Sequence, residues 1–388
     1  MLYADTRQRR MVSLKISNWM LAGLTAALSV TAMAGAQTGA QTGTGTRAAQ
    51  APAAPVPAGQ APAAPAPTAP AQKSPAPLQL HDMGQTTKTD PFPAANPKYF
   101  TATSPTVDTV NAFLKSLWGY DSNRIWRVEA IQTTAAPNVS KVVVFVSDKA
   151  PNSKVQPTAF FVTPDGKHAV AGDVVVPFGA TPFADLRKTL QARADGATRG
   201  ATSKDLMLVE FADLQCPHCK EAQGTMDQLS KDFPNARVVF QSFPIVDLHP
   251  YAFKAAAYGY CIEKQKNDAY FIYAAAVFDA QAALTPETGD ETLKNAVTKA
   301  GLDPAAVDAC AATQAIKDQV SASIKLAEEV GVEQTPMLAV NGHLLPLAGI
   351  PYETLKNIVA YQATLDGVST GATGPAVGSS STPPTLGK

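Results

Sequence analysis

Residues 206–223 read LMLVEFADLQCPHCKEAQ, an apolar run holding one glutamate, followed by two cysteines separated by Pro217 and His218. Leu206, Leu208, Val209 and Phe211 within a short run bounded by polar residues predict a buried β-strand. Pro217 suits the first position of a helix, where its missing N–H is not needed, so a helix begins directly after Cys216. A C-x-x-C has three competing uses: a zinc knuckle, a structural crosslink or a redox pair. Zinc needs four ligands, commonly two such knuckles or Cys with His at similar spacing. The remaining cysteines, Cys261 and Cys310, stand far apart on helical stretches with no C-x-x-H beside them, so no metal site is expected.

The redox reading follows from the junction of strand and helix. Cys216 at a helix N-terminus faces unpaired backbone N–H groups and the positive end of the helix dipole, both of which favour a thiolate. His218 adds a donor and a charge beside that sulfur. Stabilising the thiolate stabilises the reduced pair and makes its disulfide more oxidising. Cys219, one turn further in, is the expected resolving thiol. Glu210 reads as a buried carboxylate beneath the pair, raised in pKa by low dielectric and able to carry the resolving cysteine's proton; the alternative is a glutamate facing outward from a half-buried strand. Thr335-Pro336 precedes a short strand where proline is otherwise unwelcome. In a thioredoxin-like site a cis bond there sets the Thr335 backbone against the reactive sulfur and offers edge hydrogen bonds to an extended peptide; the alternative is a trans proline that ends the preceding helix at Val332.

The ends of the chain bear on where this chemistry takes place. Arg7, Arg9, Arg10 and Lys15 precede an apolar run from Trp19 to Val30 and then the small residues TAMAGA, with Met11 as an alternative start. That order describes a secretory signal peptide over residues 1–36, with cleavage after Ala34 or Ala36, and the run is short for an uncleaved membrane anchor. No cysteine follows it to carry a lipid, so a soluble, exported, periplasmic-type protein is expected. Outside the cytosol, thiols tend to become disulfides or redox catalysts. Cys261 and Cys310 accordingly read as a structural disulfide worth at most about 4 kcal/mol by loop closure, against the alternative of two buried free thiols. The 32 basic and 32 acidic residues cancel, so no global field draws in nucleic acid or an anionic membrane.

Residues 37–95 are dominated by Ala, Pro, Gln, Gly and Thr and have little to bury, which predicts a disordered, extended tether with polyproline II character; residues 367–388 read as a disordered tail. Residues 96–192 form a small α+β module: a helix over Thr106 to Trp118, several β-rich runs, a hairpin at Asp165-Gly166, and a helix in TPFADLRKTLQAR. A Gly, Ala and Thr linker is expected near residues 193 to 204. Residues 204–366 then run strand, C-x-x-C helix, strand, a helical insertion over about 248–331, two short strands around Asn341-Gly342, and a last helix from Tyr352 to Leu365. That order is the order of a thioredoxin fold with an inserted helical subdomain, so the fold class is α/β. Aromatics of the insertion, Tyr251, Phe253, Tyr258, Tyr260, Tyr270, Phe271, Tyr273 and Phe278, read as core, with an apolar groove for unfolded substrate as the alternative. His249 reads as a helix-start residue, His168 and His343 as turn neighbours, and His81 as part of the tether.

Three separated stretches, VEFADLQCPHC, FPIVDLHPYAFKAAAYGYC and GVEQTPMLAVNGHLLPLAG, together resemble the exported DsbA-like thiol-disulfide oxidoreductases over about residues 204 to 365. The resemblance implies Cys216 as nucleophile, Cys219 as resolving cysteine, Pro217 within the motif, His218 as thiolate stabiliser, Glu210 as buried acid and Thr335-Pro336 as the cis-proline loop. It also implies reduced or misfolded exported polypeptides as substrates, no organic cofactor, and a membrane quinone-linked, DsbB-like oxidase as redox partner. The stretch FFVTPDGKHAVAGDVVVPFG, from Phe160, resembles the end of the dimerisation domain of the DsbC and DsbG isomerases, which implies a homodimer and a DsbD-like membrane reductase instead. Those isomerases resemble this chain less at Glu210 and usually carry a tyrosine where His218 stands. A non-catalytic exported binding protein with a structural C-x-x-C is the third reading.

Overall fold

The computed structural model describes residues 91–370. The expected signal peptide, most of the tether with His81, and nearly all of the expected tail lie outside the described residues. Among those described, the residues from Ala94 on belong to one compact unit, distinct from the segment ending at Pro93.

The first part is an antiparallel meander. Strands β1 (Arg124–Thr133), β2 (Ser140–Asp148), β3 (Gln156–Val162), β4 (His168–Ala171) and β5 (Val174–Pro177) pair in sequence order. Gly166 takes a left-handed φ of 65° in the turn between β3 and β4, where Asp165 Oδ1 accepts the Lys167 N–H at 2.9 Å. Helix α1 (Val107–Trp118) begins where the sequence placed its cap: the Thr106 side chain accepts the Thr109 N–H at 3.1 Å. Phe113 on α1 meets Phe160 and Phe178 at 5.6 and 4.8 Å between ring centres, closing the core of this part.

Helix α2 (Ala184–Arg193) leads to a strand, β6 (Ala197–Gly200), where composition predicts a linker. Four small or polar residues carry no strand signal of their own; β6 forms because it completes an edge, pairing antiparallel with β8 (Arg237–Ser242). Close approach requires glycine beside it, since a Cβ on Gly196 would stand 2.0 Å from the Phe240 carbonyl oxygen.

The second sheet has the order β10-β9-β7-β8-β6, with β7 (Met207–Ala212) central, β9 (Met337–Val340) and β10 (His343–Pro346). β7 runs parallel to β8 and antiparallel to β9. All six residues of β7 are buried, as a central strand covered on both faces requires. Its alternation divides the core. Leu206 and Leu208 pack with Met226 and Leu229 of α3 (Pro217–Asp232) and with Leu355, Ile358 and Val359 of α9 (Tyr352–Leu365). Met207, Val209 and Phe211 pack on the other side with Leu190, Leu326 and Ala327. Each of these large apolar side chains contributes about 1.5–3 kcal/mol by leaving water.

Between β8 and β9 the chain forms α4 (Ala252–Gln265), α5 (Asn267–Asp279), α6 (Gly289–Lys299), α7 (Pro304–Ala311) and α8 (Gln314–Glu329). Tyr258, Tyr260, Tyr270, Tyr273 and Phe278 are buried in its core, with Tyr251, Phe253 and Phe271 packed at its edge. Cys261 on α4 and Cys310 on α7 are disulfide-bonded. The β-α-β, helices, β-β-α order is the thioredoxin arrangement with its insertion. No helix among the described residues is long and apolar enough to cross a membrane.

The helices of the N-terminal part pack against the second sheet and its last helix. The Phe183 and His343 rings stack at 4.1 Å between centres, Arg187 reaches Asp366 at 3.3 Å, and Tyr361 donates to the Lys115 carbonyl at 3.0 Å. His343 stands next to the Asn341-Gly342 turn as expected and is buried on β10, and burial holds its imidazole down to about 4.

Candidate active site

The end of β7 and the start of α3 bring the two cysteines together, and β9 brings Thr335 onto them. Cys216 caps α3 in extended backbone, with Pro217 in the first turn. Both cysteines are free thiols in this structure. Cys216 is 5% exposed and Cys219 fully buried. The Thr335–Pro336 bond is cis, and the Thr335 carbonyl lies 3.8 Å from Cys216 Sγ.

The electrostatics separate the two thiols. The Cys219 thiol donating to the Cys216 sulfur is the largest influence on Cys216. With help from Thr335 and from the backbone N–H groups of Cys219 and His218, and against the opposing cost of burial, it pulls Cys216 down to about 5. Burial, reinforced by the neighbouring Cys216 sulfur, pushes Cys219 far up. One sulfur is thus an anion at neutral pH and the other a thiol, which is what exchange chemistry asks of nucleophile and resolving group.

His218 acts differently from the sequence expectation. Its imidazole is two-thirds exposed and turned to Glu221, Nδ1 to Oε2 at 3.0 Å, and that carboxylate raises its pKa. What His218 donates to Cys216 is its backbone N–H, with the ring a more distant charge.

Glu210 is buried at 1% exposure, on the strand face that carries Leu208. Burial lifts its carboxyl to about 7, opposed by a hydrogen bond from Gln223 and by Arg199. Gln223 Nε2 donates both to Glu210 Oε1 at 2.8 Å and to the Cys219 carbonyl at 3.0 Å, tying the acid to the Cys219 backbone. Leaving Glu210 charged and unpaired here is costly, and the neutral acid is accessible near pH 7.

Two residues of the site lack a sequence signal. Asp213 is wholly buried and accepts from His249 Nδ1 at 2.8 Å. They lie 36 residues apart, so only the fold joins them. The adjacency of Asp213 to the C-x-x-C and of His249 to Pro250, just ahead of α4, was the nearest available hint. Among the described residues no three His, Cys, Asp or Glu side chains converge as a metal site.

Residues 193–360 match the family model described as Thioredoxin. A 58-residue stretch is 40% identical to "Na(+)/H(+) antiporter NhaA 1" of Salinispora arenicola, covering 15% of this chain and 9% of that protein. Over 177 residues the chain is 26% identical to "Probable disulfide bond formation protein D" of Bacillus cereus, covering 42% of this chain and 78% of that protein. This chain therefore spans under a tenth of the length of the first curated relatives it matches, the two Salinispora antiporters. Among solved structures, a thioredoxin-like oxidoreductase from Silicibacter pomeroyi is 23% identical with a TM-score of 0.40, over 46% of this chain and 98% of that one. Oxidised BdbD from Bacillus subtilis is 18% identical with a TM-score of 0.39, over 44% of this chain and 93% of that one. Residues 193–360 form a thioredoxin-type domain.

Proposed function

We propose that this chain is an exported thiol–disulfide oxidoreductase that introduces disulfides into reduced polypeptides through Cys216 and Cys219. The observation that carries this reading is the division of the pair: a Cys216 sulfur pulled down to about 5 beside a fully buried Cys219 held as a thiol.

In the oxidised protein a substrate thiolate attacks Cys216 Sγ. A substrate–Cys216 bond forms, the Cys216–Cys219 bond breaks, and the electron pair passes to Cys219 Sγ, which takes up a proton. A second substrate thiolate then attacks the substrate sulfur of this mixed disulfide. Cys216 leaves as a thiolate and the substrate keeps the new disulfide, so two electrons move to the protein. Glu210, near half-protonation at pH 7 and linked through Gln223 to Cys219, supplies the proton taken up by the buried sulfur. The backbone of Thr335, in the cis-proline loop before β9, receives the extended substrate backbone.

Direction follows from the thiolate. A stabilised reduced form makes the disulfide a good oxidant, which favours an oxidase working with a membrane quinone-linked, DsbB-like partner over an isomerase or reductase supplied by a DsbD-like one. Trapping thiols in intact cells separates these: a mostly oxidised Cys216–Cys219 pair supports the oxidase, and a mostly reduced pair overturns it. Export rests on the basic, apolar and small-residue order of residues 1–36. Solution mass tests the homodimer implied by the N-terminal module.

A further inference from the structure

Asp213 touches both cysteines through its main chain and a distant loop through its side chain. The Cys216 N–H donates to the Asp213 carbonyl at 3.1 Å, and the Asp213 N–H points at Cys219 Sγ at 3.4 Å. Asp213 lies just past the end of β7, so no strand pairing orients that N–H. The carboxylate does so instead. Fully buried, it accepts the Gln215 N–H, the Ile245 N–H and His249 Nδ1, each at 2.8 Å. The Gln215 side chain in turn accepts the Tyr251 N–H at 2.7 Å, so residues 213–215 and 245–251 are clasped twice. A carboxylate only accepts, so the His249 tautomer here carries its proton on Nδ1. A buried carboxylate survives because it has such donors; removing one leaves it under-satisfied and frees the turn to shift.

We infer that Asp213, locked by His249, is a positioning residue for the leaving sulfur: its backbone N–H is aimed to stabilise the electron pair that arrives on Cys219 Sγ when the disulfide is opened at Cys216. The inference rests on the reading that Cys216 and Cys219 are the working pair. Cys219 is sealed from water, so a developing anion there depends on donors supplied by the protein. Bond exchange at Cys216 and charge arriving at Cys219 are separate events, and Asp213 serves the second. His249, 19% exposed, reaches the reaction only through Asp213.

The test is the rate at which dithiothreitol opens the Cys216–Cys219 disulfide in the full chain, read by quenched alkylation and mass spectrometry. His249→Ala is expected to slow opening about tenfold, the worth of one buried hydrogen bond. His249→Asn, whose amide nitrogen falls where Nδ1 stands, is expected to restore it, while the equally conservative His249→Gln, whose nitrogen falls where Nε2 stands, is not. The pH midpoint of Cys216 alkylation in the reduced protein should stay at its wild-type position in all three. Opening at the wild-type rate in His249→Ala or His249→Gln overturns the inference, as does slowing accompanied by a moved Cys216 midpoint that Asn fails to rescue. A wild-type protein that oxidises no peptide, yet shows this variant pattern with dithiothreitol, sinks the proposed function and leaves the positioning role standing.

Discussion

Replacing Cys219 probes the electrostatics of the site at their largest contribution. With Cys216 held at about 5, its sulfur is about 99% thiolate at pH 7, whereas an ordinary thiol at 9.0 is about 1% thiolate. The reduced form is therefore favoured about 100-fold, which at 29.6 mV per tenfold makes the disulfide about 60 mV more oxidising than a pair without this effect. The Cys219 thiol heads the causes, ahead of Thr335 and the backbone N–H groups. Cys219→Ala should accordingly raise the Cys216 midpoint by about one pH unit or more while the remaining donors keep it below 9.0. Cys219→Ser, which retains an O–H donor, should hold the midpoint close to wild type. The assay is the rate of iodoacetamide alkylation as a function of pH, confirmed by thiolate ultraviolet absorbance. A wild-type midpoint near 9.0, or an unmoved midpoint in Cys219→Ala, would refute the reasoning.

Other perturbations address the acid, the insertion and the packing of α2 against the second sheet. Glu210 has a folded value of about 7 against an ordinary 4.5, so the folded state holds the extra proton: its contribution is complete below about 4.5 and is lost as pH rises through about 7. Urea unfolding of the reduced protein should thus weaken by about 3 kcal/mol on Glu210's account across that window, and Glu210→Gln should remove this share of the slope, leaving the part due to Glu263, which burial also lifts to about 7. Replacing Cys261 and Cys310 together by alanine opens a loop of 49 residues and should cost about 4 kcal/mol in urea unfolding, with the Cys216 midpoint unchanged. Gly342 has φ 91°, and a Cβ there would stand 2.5 Å from the Phe183 carbonyl and 2.6 Å from the Arg187 nitrogen. Gly342→Ala should therefore lower stability by about 2 kcal/mol or more, measured by thermal unfolding.

Much of the thioredoxin-type domain was readable because its signals are local. The apolar run of β7, the proline after Cys216 and the Asn341-Gly342 turn each state their conformation within a few residues. The order of those elements then places Thr335 against the cysteines. Glu210's apolar neighbours favoured burial without deciding it against an outward-facing glutamate, and the fold buries it at 1% exposure. What was not readable depends on distant partners. β6 exists through its pairing with β8, and Ala197–Gly200 carries no pattern of its own. His343 is buried because Phe183, from another part of the chain, stacks upon it. The Asp213–His249 link is a product of the loop after β8 folding back over the C-x-x-C turn. The imidazole of His218 follows Glu221, three residues on, a competition between two partners that spacing does not decide.

Disulfide transfer to a reduced two-cysteine peptide tests the central claim most directly. The oxidised protein is mixed with the peptide, quenched by alkylation at intervals and weighed by mass spectrometry. One peptide disulfide should appear for each Cys216–Cys219 pair that becomes reduced, Cys216→Ser should transfer none, and Cys219→Ala charged with thionitrobenzoate on Cys216 should release thionitrobenzoate as a peptide–Cys216 disulfide forms, which the peptide's second thiolate then resolves. Equal transfer by Cys216→Ser, or no transfer by the wild-type protein, would contradict the account.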